Sequence, residues 1–180
     1  MSPVARSDAA RNRARILDAA RACAPEALRL NDVARRAGLG VGTVYRHFPT
    51  VHALVEAVVA NDLERYRDLA RRAAAEPDPG AALELLVREG LDLQLGDGGL
   101  QAVLLAADDA SAEVAALKRE LEEVAGRVVA AARDAGVVRA ELTAARLQHL
   151  VCGLEHAVRV GGGDARDFLL DTMLAGLRTP

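Results

Sequence analysis

The stretch Gly38-Leu39-Gly40-Val41-Gly42-Thr43-Val44-Tyr45-Arg46-His47-Phe48 constrains this chain more than any other. It follows Asn31-Asp32-Val33-Ala34-Arg35-Arg36-Ala37, whose apolar positions Val33, Ala34 and Ala37 recur at helical spacing. Gly38 can take the left-handed conformation that ends such a helix, and Gly40 can open the next one. Two short helices joined by a tight turn containing glycine form a helix-turn-helix, here over about residues 29–48.

Within the second of these helices, Val44 and Phe48 stand four apart and share one face, which suits them to hold the helix on its own domain. Thr43, Tyr45, Arg46 and His47 project elsewhere. Their hydroxyls, guanidinium and imidazole are the groups that meet phosphate oxygens and base edges. Gly42 permits close approach of the backbone to a partner.

The run G-T-V-Y-R-H-F, followed by Pro49 and an apolar helix, resembles the TetR family of bacterial transcriptional repressors over about residues 11–60. The resemblance implies that Thr43, Tyr45 and His47 touch operator phosphates while Val41, Gly42 and Arg46 lie near bases. Asn31 joins this DNA-facing set, at a position where the family often carries an arginine. A basic residue is likewise common where Val41 and Val51 stand, and the connection between the first two helices is shorter than usual. The family's fold further implies a twofold dimer, with the last two helices of each chain forming a four-helix contact.

Composition fixes the rest of the fold class. Hydrophobic residues make up 51% of the 180 but aromatics only 2%, so cores must be filled with Ala, Leu and Val. Apart from Val these are strong helix formers, and no run of alternating β-branched residues appears. An all-α fold of about nine helices is expected. Residues 1–60 would be the DNA-binding domain, whose three helices and the start of a fourth form the reader. Residues 61–180 would be a ligand-binding and dimerisation bundle. The net charge of −3 divides into +5 over residues 1–48, where nine arginines face four acids, and −8 over the remainder. That asymmetry fits one polyanion-facing end on an acidic body. Cys23 and Cys152 without a secretory signal, and no apolar run of the ~18 residues a membrane span requires, point to a cytoplasmic protein with no membrane partner.

Along the chain, helices are predicted at about 9–24, with Ile16, Leu17 and Ala20 inward, and at about 50–75, a lever shared by the two parts. Pro25 would stop the first of these, and residues 1–8 would form an arm from which Arg6 could reach DNA. Further helices are expected at about 81–95, 100–107, 108–135, 144–160 and 165–177, separated by the glycine-rich loops 96–99 and 161–163. In the long helix ending at Gly136, the positions Val114, Leu117, Leu121, Val124, Val128, Ala131 and Ala135 form a heptad stripe. The helix after it carries a core face of Leu147, Leu150, Val151, Leu154 and Val158. Nearly opposite stand His149, Cys152, Gly153, His156 and Val160, which with Leu170, Met173 and Leu174 of the last helix are assigned to a dimer interface.

The function that follows is a dimeric repressor released from a palindromic double-stranded operator by a small apolar effector. Val87, Leu91, Gln94 and Leu104 are candidate pocket residues, and Gln94 is a polar group on an inner face. The alternative is a helical protein-interaction module without effector binding. An enzyme is not expected, because the chain has no phosphate-binding loop, no metal motif of established spacing and no nucleophile with an evident base. No cofactor is expected either. His47 reads as a phosphate contact and His52 as a surface residue. His149, Cys152 and His156 project from one side of a helix, but residues seven apart are separated by about 10 Å along its axis. That makes them interface residues, and no metal is assigned to them.

Overall fold

The computed structural model describes residues 3–23, 27–96 and 98–179, the side chains of 3–7 excepted. Among the described residues the chain is all-helical: α1 (Pro3–Arg21), α2 (Leu30–Ala37), α3 (Val41–His47), α4 (Val51–Ala74), α5 (Pro79–Gly96), α6 (Gly98–Leu105), α7 (Ala112–Asp134), α8 (Ala144–Gly161) and α9 (Arg166–Leu177). A turn of 3-10 helix at Gly163–Ala165 precedes α9. α1 begins at Pro3 and not near residue 9; proline is well placed in a first turn, where its missing N–H has no helical partner to lose. Pro25 and the side chain of Arg6 lie outside the described residues.

The chain forms two compact units, residues 1–61 with 98–114 and residues 62–97 with 115–180. Helix α4 gives residues 51–61 to the first and 62–74 to the second. The first unit thus takes in α6 and the segment after it.

In the first unit Ile16 and Ala20 of α1 and Leu30, Val33 and Ala34 of α2 pack with Val44, Phe48 and Leu54 into one apolar core. In the second, α5 buries Ala82, Leu83, Leu86, Val87, Gly90, Leu91 and Gln94 along one face. Helix α7 buries Leu117, Leu121, Val124 and Val128 as a heptad pattern predicts, then switches to Val129 and Ala132 while Ala131 and Ala135 stay exposed. A straight helix has 3.6 residues per turn, so a seven-residue repeat drifts around it by roughly 20° per heptad; α7 follows the straight geometry of a bundle helix. Thr143 caps α8 by accepting from the Arg146 N–H at 3.2 Å, and Ser111 does the same for α7 through Val114 at 3.1 Å. Asp164 lies inside the 3-10 turn that precedes α9.

One close approach sets the spacing of α4 and α5 in the second unit. A Cβ built on Gly90 would stand 2.7 Å from the Tyr66 hydroxyl and 3.0 Å from its ring. Alanine would add about 0.5–1 kcal/mol of helix propensity, but overpacking a buried site costs about 1–3 kcal/mol. Gly90→Ala is therefore expected to lower stability by about 1 kcal/mol in urea denaturation, and adding Tyr66→Phe should recover part of that loss.

Candidate nucleic-acid interface

The turn between α2 and α3 is built from backbone geometry. Gly38 sits at φ 62°, ψ 39°, the left-handed region, and its N–H closes on the Arg35 carbonyl at 3.2 Å while the Leu39 N–H reaches Ala34 at 2.9 Å. These bonds satisfy the carbonyls that the end of α2 leaves open. Arg15 reinforces them from α1, donating to the Ala37 carbonyl at 2.6 Å and the Gly38 carbonyl at 3.3 Å. Although exposed, Arg15 is thereby engaged by protein carbonyls.

Helix α3 is held by its apolar side: Val44 is 0% exposed and Phe48, just past its end, 2%. The Arg13 guanidinium lies over the Phe48 ring, 4.8 Å from its centroid. With that face buried, Val41, Gly42, Tyr45 and Arg46 are exposed, Thr43 and His47 half-buried, and Asn31 is exposed at the start of α2. Arg46 folds back over its own helix, its Nε on the Gly42 carbonyl at 3.1 Å and Nη2 on Thr43 Oγ1 at 3.3 Å. Those exposed acceptors are weak enough to be exchanged for a phosphate or a base edge. Arg11, Arg21 and Arg35 each pair with an acid three residues earlier.

Elsewhere the predicted residues divide. Val87, Leu91 and Gln94 come together on α5 in the second unit, at most 1% exposed. Leu104 is half-buried on α6 in the first. Gln94 donates to the Tyr66 hydroxyl at 3.3 Å, and Cys152 Sγ approaches its amide oxygen at 3.7 Å. Burial pushes the Tyr66 hydroxyl up to about 12.

Of the residues assigned to a dimer face, His149, Gly153, His156 and Val160 are exposed, and Met173 and Leu174 half-buried. Cys152 (6% exposed) and Leu170 (0%) are corrections: both are core residues of the protomer, because the buried arc of α8 extends past Val151 to Cys152 and Glu155. With Cys152 turned inward and both histidines outward, His149, Cys152 and His156 do not converge. His52 lies at the surface, its side chain 38% exposed, and pairs with the buried Glu56, four residues further along α4.

A short helix locked by two apolar residues after a glycine turn, with a polar outer row, defines a helix-turn-helix DNA-binding unit. The comparisons agree. Residues 16–58 match the profile of bacterial regulatory proteins of the tetR family, and residues 78–179 match the C-terminal domain of SbtR-like transcriptional regulators. A TetR transcriptional regulator from Streptomyces coelicolor is 30% identical over 92% of this chain and 98% of its own, with a TM-score of 0.53. A TetR regulatory protein from Mycobacterium vanbaalenii is 35% identical over 97% and 99%, with a TM-score of 0.49. The fatty-acid regulator FadR from Bacillus subtilis, solved in complex with stearoyl-CoA, is 14% identical over 91% and 98%, with a TM-score of 0.58, and shares the fold. No curated protein matches. The chain belongs to the TetR family: it is a transcriptional regulator whose N-terminal part binds DNA.

The turn yields its own test. A Cβ at Gly38 would face both the left-handed backbone penalty, about 1–2 kcal/mol, and the Arg15 guanidinium at 3.1 Å. Gly38→Ala should therefore lower stability by at least that amount in thermal unfolding. It should also weaken DNA binding although it removes no DNA-facing group.

Proposed function

We propose that this regulator is a dimeric repressor that binds a palindromic operator and leaves it when a small apolar effector occupies the second unit. The observation that supports the DNA part is the outer row of α3, exposed at Val41, Gly42, Tyr45 and Arg46; in this reading Thr43, Tyr45 and His47 meet phosphates and Val41, Gly42 and Arg46 meet bases. Asn31 flanks the row on α2. A twofold dimer sets its two recognition helices about one DNA turn (~34 Å) apart, hence the palindrome.

The dimer reading rests on α8 and α9. His149, Gly153, His156 and Val160 follow one another at spacings of four, three and four, so they line one exposed face. Val160 is 76% exposed and Phe168 73%, large apolar groups on a surface a partner would cover. Nothing stands within 4 Å of a Cβ at Gly153, which leaves room for close helix approach. The effector reading rests on Gln94, a buried polar side chain among Val87 and Leu91, whose bonds to Tyr66 and Cys152 a ligand could exchange. FadR, with its stearoyl-CoA, illustrates an apolar chain held by this fold. An effector releases DNA only by binding the non-DNA-binding conformation more tightly, and α4, common to both units, is the element to carry the difference. The setting is cytoplasmic, and no helix among the described residues is long and apolar enough to cross a membrane.

Fluorescence anisotropy with DNA flanking the gene tests the reader. Tyr45→Phe combined with His47→Ala should weaken operator and random DNA alike, because phosphate contacts carry little sequence information. Arg46→Ala should erode discrimination by about 1–3 kcal/mol. Affinity should fall steeply with salt; salt-independent binding would sink the reading.

Sedimentation tests the dimer. Wild type should sediment as a dimer at micromolar concentration. Gly153→Leu with Val160→Glu should give a monomer of unchanged helicity that has lost operator affinity. Leu170→Glu is not a usable probe, since it would place a charge in the protomer core.

A further inference from the structure

Within the first unit, away from α3, the start of α4 meets the segment that leads from α6 into α7. His52 and Glu56 are four apart on α4 and stack on one face. His52 Nε2 lies 2.9 Å from Glu56 Oε1 and 3.0 Å from the Asp108 carbonyl oxygen. Glu56 Oε1 also accepts from the Ala110 N–H at 2.6 Å. Asp109 completes the group: one ligand atom each from His52, Glu56 and Asp109 lie within 4.8 Å of one another.

Two features separate this cluster from an ordinary surface pair. Glu56 is 1% exposed, and its second carboxylate oxygen, Oε2, is buried without a hydrogen-bond partner. It is the one such side-chain atom found among the described residues. A carboxylate removed from water calls for compensation at both oxygens. The second feature is convergence: His52 Nε2 lies within hydrogen-bond distance of both the Glu56 carboxylate and the Asp108 carbonyl oxygen, and the Asp109 carboxylate belongs to the same group.

We propose that His52, Glu56 and Asp109 form a binding site for one divalent transition-metal ion of the zinc or manganese class, with the Asp108 carbonyl oxygen as a further donor. In that state His52 is neutral and gives its Nε2 lone pair, and the ion's two charges balance the two carboxylates. Donor bonds of about 2.0–2.2 Å set neighbouring ligand atoms roughly 3.0–3.4 Å apart, close to the 2.9 Å between His52 and Glu56. The three ligand atoms, all within 4.8 Å of one another, would close on such an ion with side-chain movements on the order of an ångström. The donor set selects the ion class. With no thiolate it does not favour a soft ion such as copper(I), and the imidazole disfavours calcium and magnesium. Binding would tie the start of α4 to residues 108–110 within the first unit.

The test needs no DNA, so its failure and the failure of the repressor reading are separable. Full-length protein is stripped with a chelator, then titrated separately with Zn2+ and Mn2+ by calorimetry and thermal unfolding. One equivalent of at least one of them should bind per chain, with a rise in Tm, because the folded state alone presents the assembled site. Glu56→Gln keeps the side-chain volume, and Asp109→Asn changes a half-buried position; each should lower affinity at least tenfold. Asp134→Asn, at an exposed carboxylate on α7, should bind as wild type does. Wild-type protein that takes up neither ion up to millimolar concentration overturns the proposal and leaves a hydrogen-bonded latch. So does unchanged affinity in Asp109→Asn, which remains informative should Glu56→Gln fail to fold.

Discussion

Everything that faces DNA depends on the burial of Val44 and Phe48. α3 has seven residues, and helices shorter than roughly 12–15 residues are marginal in water. It persists because Val44 and Phe48 enter a core already formed by Ile16, Val33, Ala34 and Leu54. Burying side chains of this size is worth about 1.5–3 kcal/mol each, enough to offset the cost of nucleating so short a helix. The same anchorage fixes its rotation. With Val44 and Phe48 turned in, Arg46 projects away from the core, while Val41 and Tyr45 stand at the rim of the buried face, 43% and 47% exposed. Gly38 and Arg15 serve that anchorage by holding the end of α2 where α3 must begin.

Local chemistry was readable in the sequence, and tertiary partners were not. Gly38 announced a left-handed turn and Gly40 the start of α3, because each acts on backbone within a few residues of itself. The all-helical class followed from an interior of Ala, Leu and Val. The reading went wrong where a residue's role depends on which neighbour arrives. Cys152 and Leu170 have spacings compatible with a partner face, yet the buried arc of α8 is rotated from the expected one: Leu150, read as core, is 43% exposed, while Cys152 and Glu155 turn inward to meet groups on α5 and α8 itself. The heptad stripe of α7 could not reveal that no second helix forces a supercoil on it, so the buried face slid from Ala131 to Ala132. The surroundings of His52 and Glu56 were not legible because Asp108, which meets His52, and Ala110, which donates to Glu56, lie more than fifty residues away in a segment assigned to the other part of the chain.

The arginine content deserves a different explanation from the one charge counting offers. Lys118 is the sole lysine among 23 basic residues, and a general affinity for polyanions would be served by either type. The structure shows a use for which lysine is inferior. Arg15 spans the Ala37 and Gly38 carbonyls at the end of α2. Arg159 spans the Gln94 and Leu95 carbonyls near the end of α5, at 2.9 and 3.2 Å, while pairing with the buried Glu155. Arg139 reaches the Gly176 carbonyl near the end of α9 at 2.7 Å. A planar fork with several fixed donors can serve two successive carbonyls at a negative helix terminus, and it stays charged when half-buried. In a chain with few aromatic side chains, these forks hold helix ends to neighbouring helices in place of wide ring contacts. The basic balance of residues 1–48 is thus partly structural: Arg15 and Arg36 bond main-chain oxygens, Arg13 lies on Phe48, and Arg11, Arg21 and Arg35 pair with acids. In the function proposed above, specificity then falls to a few groups on α3, Arg46 foremost, and not to a diffuse positive field.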